Sequence, residues 1–405
     1  MVLMRVLIIG SGIGGPVAAT ALRRAGIDAT VFEAHDGPGT NLGAHLGLAP
    51  NGLAVLRSLD LLRPVLEAPG TLPSSRIEFR DGRGRIMGRL SDGSTELEPE
   101  LRSVSARRGV LQTVLAETAA DLGTTVEYGR RLVRHTDTGS EVIAEFADGS
   151  VERGDVLVGA DGIHSVVRRS LFPDAPAPTY TGLLDLGGRT PNAGAPPTPS
   201  DTSRLIWGRR AFAGYQTAPD GDAYWFVNVP HPELTREEIA ARPDSEWKRF
   251  ALDLAIDRTG DLDTVLRASE PRLFRPRGVY TIPTLPHWHR GRVALLGDAA
   301  HALPNSSGQG ASMAMEDALV LAMCLRDSDT PERGLAAYER IRRGRVEAII
   351  EEGTRRGDLK LVTHPVGVFL RDRLLLPLVF RRAAGAGGHS PIFDHRVDFD
   401  APVAT

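Results

Sequence analysis

Three short stretches of this chain have residue types and spacings that could do chemistry. The first is "GSGIGG", in which Gly10, Gly12 and Gly15 form G-x-G-x-x-G around Ile13 and Gly14. The second is "GADGIHSVVR", which carries Asp161. The third, "GDAAHALPNSSGQGAS", runs from Gly297 and Asp298 through Pro304 and Asn305 to Gly308, Gln309, Gly310, Ala311 and Ser312. Glycines let an anionic group come against bare backbone, and a helix that follows them offers unpaired N–H groups and a partial positive charge. The carboxylates suit ligand hydroxyls. The chemistry implied is the holding of a phosphorylated polyol.

These residues need particular elements to position them. Residues 6–9 are a short apolar run stopped by glycine, as a buried parallel strand requires. Residues 16–24 continue as a helix. Gly10 permits the tight turn, Gly12 lets a pyrophosphate approach the backbone, and Gly15 lets helix and strand pack closely. A second strand at residues 29–32 ends in Glu33, followed by Ala34. A carboxylate about twenty residues beyond the glycines can accept hydrogen bonds from a ribose diol. It would repel a 2′-phosphate, which argues against NADP at this position. The unit predicts an adenine dinucleotide and does not separate NAD from FAD.

The later stretches separate them. Asp161-Gly162 taken alone reads as an ordinary turn. The third stretch follows a strand at 293–296, closes it with Gly297-Asp298, and leads through a Pro/Ser/Gly loop into an apolar-faced helix at 311–325. No second nucleotide-binding βαβ unit follows. Asp298 can hold a polyol, and the amides around 308–312 can face an anion. A flavin needs both, because its ribityl chain carries hydroxyls and its N1–C2=O edge becomes negative on reduction. The pattern favours FAD.

In this order and spacing the three motifs resemble those of the single-component FAD-dependent aromatic hydroxylases, the p-hydroxybenzoate hydroxylase-like monooxygenases. "GSGIGG" with Glu33 is similar to that family's ADP-binding fingerprint, "GADGIHSVVR" to its DG motif and "GDAAHALPNSSGQGASMAMEDA" to its GD motif. "RRGVLQTVL" resembles its R-x-x-L segment, which implies that Arg108 and Gln112 lie along the FAD. The cofactor-binding set expected on this basis also includes Leu132. The resemblance spans roughly residues 1–325 and departs from the family at two places. Asn305 stands where a second proline is usual, and His45 stands where glycine is common. His45 could limit flavin movement, touch substrate, attach to the flavin covalently, or be an unremarkable surface histidine. His301 reads as a packing residue.

The implied fold is α/β: a Rossmann-like FAD-binding domain (GR2-type, three-layer) interrupted by a β-sheet substrate domain, with a C-terminal helical segment. The expected division is 1–74, 101–174 and 275–325 for the FAD unit, 75–100 and 175–274 for the substrate sheet, and 326–405 for the helical segment. Alternation predicts a hairpin at 75–90 and strands at 179–187, 204–206, 213–217 and 224–229. Residues 191–203 read as a mobile loop, 237–264 as helical, and the stretch after Asp327 as a long amphipathic helix with Ala337, Ile341, Val346 and Ile349 or Ile350 inward. Alternation puts Trp225 and Phe226 on opposite faces. His45, Phe212, Tyr215, Trp225 and Asn305 are the candidate substrate contacts.

Composition adds exclusions. The 405 residues allow two packed cores, and the net charge of −3 gives no reason to expect nucleic acid or an anionic membrane as partner. Lys248 and Lys360 are the only lysines, so a halogenase, which needs an activating lysine and a W-x-W-x-I-P segment, is disfavoured. One cysteine, Cys324, lies in an apolar run and reads as core packing in a reducing cytoplasm. No secretory signal precedes the first motif, and the apolar tract at 366–382 is interrupted by Arg371, Asp372 and Arg373, so a docked helix is expected there. A monomer or homodimer is expected. The resemblance implies NADH or NADPH as transient reductant and O2 as oxidant, with a flavin C4a-hydroperoxide oxygenating an aromatic or polycyclic small molecule. Epoxidation, Baeyer–Villiger oxidation and a non-catalytic flavin-binding role share the same motifs.

Overall fold

The computed structural model describes residues 4–39, 45–91, 98–257, 260–385 and 391–404. Its framework is a six-stranded sheet in the order His289–Arg290, Val293–Leu295, Val156–Gly159, Arg5–Ile9, Asp28–Phe32, Thr125–Glu127. All neighbours run parallel except the first pair. The inner strands are buried on both faces, which is why they read as unbroken apolar runs. Helix Gly14–Arg24 covers one face and packs against helix Gly310–Arg326.

A second sheet of seven strands has the order Arg277–Thr281, Thr179–Thr190, Ala223–Pro230, Phe212–Thr217, Thr202–Trp207, Arg76–Asp81, Ile86–Ser91. Its two faces carry different cores. One face, with Ile206, Ala213, Tyr215, Trp225 and Val227, packs on helices Asp244–Asp253 and Asp261–Ala268. The other carries Trp207, Phe212 and Phe226, partly covered by Leu376 and Phe380 of the C-terminal helix. A small sheet of His45–Leu48, Val104–Arg107 and Leu72–Pro73 lies between the two large ones.

Several expected elements differ in detail. Residues 237–264 form three helices, Arg236–Ala240, Asp244–Asp253 and Asp261–Ala268, because Pro243 starts the second and left-handed Gly260 precedes the third. Residues 191–203 are pinned: Ala193 and Ala195 are buried, Thr198 N–H donates to the Thr217 carbonyl at 3.0 Å, and Thr202 and Ser203 already belong to a strand. In the long helix Pro331–Asp358, Ala337, Val346 and Ile349 are inward as expected, but Ile341 is exposed. Arg342 takes the buried position, because the facing helix presents carboxylates there. Cys324 is fully buried and its thiol is pushed up to about 12 by burial, as an inert core residue should be.

The C-terminal tract docks only in part. Helices Pro365–Leu370 and Leu376–Gly385 flank a π-helical turn at Arg371–Leu375. Leu376 and Phe380 are buried against the second sheet, whereas Val366, Phe369, Leu374 and Leu378 remain exposed. Among the described residues no helix is long and apolar enough to cross a membrane.

Glu339 fastens the long helix to the first sheet. Its carboxylate accepts from Trp288 N–H at 2.8 Å, contacts His289 Nδ1 at 2.6 Å and pairs with Arg343. Burial opposes ionisation there, but the His289, Arg343 and Trp288 contacts outweigh it and hold the carboxyl at about 2. A folded pKa below the unfolded value of 4.5 means that Glu339 contributes its stability above pH 4.5 and loses it as pH falls toward 2. Thermal unfolding followed across that window should show a steep fall for the wild type and a shallower one for Glu339→Gln. Parallel curves would remove this role.

Candidate active site

Two helix N-termini open side by side. At the first, Gly10 adopts φ +108°, and a Cβ there would lie 2.6 Å from the Ala160 carbonyl oxygen. A Cβ on Gly15 would stand 2.0 Å from the Gly10 carbonyl oxygen, so both glycines are required by close backbone approach. At Gly12 the nearest atom to such a Cβ is Gln112 Nε2 at 3.8 Å, which leaves room for a ligand. Ile13, at the N-cap, makes no side-chain cap, and the first turn holds no acid, so the N–H groups of Gly14 and Gly15 keep their donor capacity.

Glu33 accepts from Ser11 N–H at 2.7 Å and His35 N–H at 3.0 Å, and contacts His35 Nδ1 at 2.6 Å. Burial opposes its ionisation, but these bonds from Ser11 and His35 lower its pKa overall. Ala34 is half-buried beside it. Arg108 and Gln112 are one turn apart on helix Arg108–Asp121, which places both on one face. Leu132 packs its side chain into the main core, beyond Arg130, whose N–H donates to the Glu33 carbonyl at 2.7 Å.

The second mouth is the start of helix Gly310–Arg326, where Gln309 at the N-cap likewise makes no side-chain cap. Gly297 at φ +59° turns the chain after its strand and leaves Asp298 exposed. Asp298 Oδ1 lies 4.0 Å from the Cβ position of Gly310, and nothing lies within 4 Å of that of Gly308. The two mouths are held together by contact: a Cβ on Gly14 would meet Leu296 at 2.5 Å and Ala314 at 3.4 Å. Pro304 is buried and its carbonyl accepts Ser307 N–H, while Asn305 is exposed in the same turn. Asp161 caps the short helix Val166–Leu171, its Oδ2 accepting from Val166 N–H at 2.6 Å and Val167 N–H at 3.2 Å. Burial raises its pKa.

Among the buried oxygens without a partner are Ser11 Oγ beside the first mouth and Asp161 Oδ1 in the second motif. Buried polar atoms are normally satisfied. Together with the open space at Gly12, Gly308 and Gly310, these atoms fit an extended ligand carrying phosphate and hydroxyl groups. FAD has that chemistry.

Several residues outside the expected cofactor-binding set hold this geometry. Arg168, nearly fully buried, donates to the Ala299 carbonyl at 2.9 Å and the Ile163 carbonyl at 2.6 Å, tying the second motif to the third. Behind the second mouth, Arg342 donates to Asp317 Oδ1 at 2.7 Å and Glu316 Oε2 at 2.6 Å. Asp317 Oδ2 accepts from Gly297 N–H at 3.1 Å and contacts His301 Nε2 at 2.6 Å. Burial opposes ionisation of Asp317, but His301 and Arg342 hold it at about 2. Asn51 bridges Gln309 and Glu316 at 3.0 and 2.8 Å. His301 is thus a packing and positioning residue, as its place in the motif implied.

Among the candidate substrate contacts, Phe212 lies on the sheet face that bears Phe226. Tyr215 and Trp225 are corrected: both point into the core shared with the helices, Tyr215 bonded to Arg204 at 3.0 Å and Trp225 to Thr190 at 2.9 Å. Period-2 alternation gives Tyr224 the opposite side, where its ring stacks on His45 with centroids 4.2 Å apart. His45 is half-buried and held at both ring nitrogens. Its Nδ1 contacts Ser105 Oγ at 2.6 Å and its Nε2 the Gly70 carbonyl at 3.0 Å, and burial pulls its pKa down to about 4.

Residues 4–353 match the family model described as "FAD binding domain". The chain is 30% identical over 358 residues to an FAD-dependent urate hydroxylase of Klebsiella pneumoniae, covering 88% of this chain and 90% of that protein. It belongs to the FAD-dependent aromatic hydroxylase family of monooxygenases. The chain is also 28% identical over 377 residues to the aurachin C monooxygenase/isomerase of Stigmatella aurantiaca, covering 92% and 94% of the two chains. The crystal structure of Klebsiella pneumoniae HpxO complexed with FAD and uric acid superposes with a TM-score of 0.81 at 27% identity, covering 95% of this chain and 96% of that one. The protein is therefore an FAD-binding enzyme, and its α/β architecture is that of the FAD-dependent monooxygenases.

Two outcomes test this geometry. Arg342→Met leaves the buried Asp317 carboxylate without its guanidinium, while Glu316 keeps Arg345, and should cost about 3–5 kcal/mol in chemical denaturation. A loss below about 1 kcal/mol would show that the network is dispensable. With both His45 nitrogens engaged, neither is free for a bond to flavin, so acid precipitation should leave all the yellow colour in the supernatant. A yellow pellet would contradict that arrangement.

Proposed function

We propose that the protein uses NADH or NADPH and O2 to insert one oxygen atom into an aromatic or polycyclic small molecule. The observation that carries this reading is the pair of adjacent, uncapped helix mouths with open space at Gly12, Gly308 and Gly310. Bound FAD supplies the redox and oxygen chemistry that protein side chains lack. On this reading Gly10, Gly12, Gly14, Gly15 and Glu33 hold the ADP half, Arg108 and Gln112 flank it, and Asp298 holds the ribityl hydroxyls. The N–H groups of Gly310, Ala311 and Ser312 face the edge that becomes negative on reduction, where the helix charge stabilises it. Residues 1–74, 101–174 and 275–325 form the cofactor unit, and the face of the seven-stranded sheet bearing Phe212, Tyr224 and Phe226 presents the substrate and excludes water. We assign the enzyme to the cytoplasm, as monomer or homodimer.

Reductant oxidation in the presence of isotopically labelled O2 and a panel of phenols and fused-ring compounds checks the reading. One labelled oxygen in the product supports it, and hydrogen peroxide alone with every compound opposes it. Asp298→Ala should lose most of the bound FAD. Undiminished flavin content would refute that residue's role.

A further inference from the structure

Lys360 is 8% exposed and, with Lys248, one of only two lysines in the chain. It follows the long helix, whose last turns lie against the loop of the second mouth: a Cβ on Gly353 would stand 2.9 Å from Ser307 Cβ, and one on Gly357 3.5 Å from Ser306 Oγ. From there Lys360 reaches the second sheet. Its Nζ donates to Asn228 Oδ1 at 2.9 Å and sits 4.5 Å from the centre of the Phe212 ring. Asn228, Phe226 and Tyr224 alternate onto one face of their strand, and Tyr224 stacks on His45. Lys360 therefore stands over the sheet face turned toward the second mouth.

Its charge is not balanced there. An ammonium has three donors, and among the described residues only the neutral Asn228 amide accepts from it. The nearest carboxyl acting on it, Asp185, does so across Asn228, whose Nδ2 donates to Asp185 Oδ1 at 2.8 Å. Asp185 is shared with Arg277 at 4.0 Å, so one carboxyl faces two cations. The neighbouring Arg371 is matched by Asp372 and offers no anion. Burial pushes the Asp185 carboxyl up to about 6 and pulls the Lys360 ammonium down to about 8, both shifts that weaken the internal pairing. Buried charges are ordinarily paired.

We infer that Lys360, held by Asn228 and flanked by the Phe212 ring, is the specificity-determining residue for substrate, and that it selects aromatic molecules bearing an ionised oxygen, phenolate, enolate or carboxylate. This rests on the monooxygenase reading above and adds the chemical class of the substrate. The anion accepts the two unused Lys360 donors, and the ring to which it is attached lies along the Phe212 and Phe226 side of the sheet.

Equilibrium dialysis of the flavin-loaded protein at neutral pH tests it without turnover. The probes are 2-hydroxybenzoate and 2-hydroxy-1,4-naphthoquinone, both anionic at that pH, each against its methyl ester or ether. The wild type should bind at least one acid ten-fold or more tightly than its methylated partner. Lys360→Met should reduce that preference to less than three-fold, and Lys360→Arg should retain most of it. Methylated probes binding as well as the acids, no acid binding at all, or a preference that survives in Lys360→Met would each overturn the inference. Absence of that preference in the wild type overturns the inference even if Lys360→Met does not fold, and Lys360→Arg then carries the residue-level comparison. Flavin content separates the two readings: wild type without flavin refutes the monooxygenase, while flavin-loaded wild type without acid preference refutes only the role of Lys360.

Discussion

The structure turns on one buried ionic contact, the guanidinium of Arg342 between the carboxylates of Glu316 and Asp317. Arg342 belongs to the long helix, and the carboxylates belong to the helix whose N-terminus forms the second mouth. Asp317 also receives the N–H of Gly297 and touches His301, and Glu316 reaches Asn51, which holds Gln309. Charges this deeply buried persist only when each is matched and hydrogen-bonded. The loop carrying Asp298 and Gly308–Gly310 is therefore positioned by its own helix, by the long helix and by the segment around Asn51 at once.

That arrangement explains how so few reactive side chains suffice. The two mouths are kept adjacent by contacts that admit no Cβ on Gly14 and almost no space between Gly52 and Ser312. Donors so fixed need no reorganisation when charge develops on a bound cofactor. The unsatisfied oxygens of Ser11 and Asp161 are the complement: buried polar atoms in the first and second motifs without a protein partner. Arg168 links the second and third motifs through backbone carbonyls, so neighbouring segments of the site move as one unit.

The seven-stranded sheet separates support from recognition by its pleat. One face is a sealed core of Tyr215, Trp225 and Trp247 against helices. The other carries aromatic rings, the His45–Tyr224 stack and a buried lysine beside an amide. A mixture of flat apolar surface with a few placed polar groups is what small-molecule sites generally show. His45, neutral and bonded at both nitrogens, fixes the small sheet against the Tyr224 ring.

Local requirements were legible in the sequence. The glycines at 10, 12 and 15, the strand ending at Glu33 and the Gly297–Gly310 loop state backbone needs that no other residues meet, and they pointed to an FAD-binding α/β protein. Alternation also gave the strands at 179–187 and 224–229 and put Trp225 and Phe226 on opposite sides. It could not say which side faced the site, so Tyr215 and Trp225 were expected beside Phe212, where Tyr224 stands. Ile341 was expected inward because periodicity favours apolar residues, whereas carboxylates on another helix made Arg342 the buried one. The sequence by itself determined which backbone segments could approach a phosphate and which stretches form strands and helices, since those depend on neighbours along the chain. Only the tertiary structure decided that Asn51, Arg342 and Lys360 belong to the site and that Arg168 ties the second motif to the third, because each acts through a partner more than a hundred residues away or on another helix, and pairing across such distances leaves no local pattern.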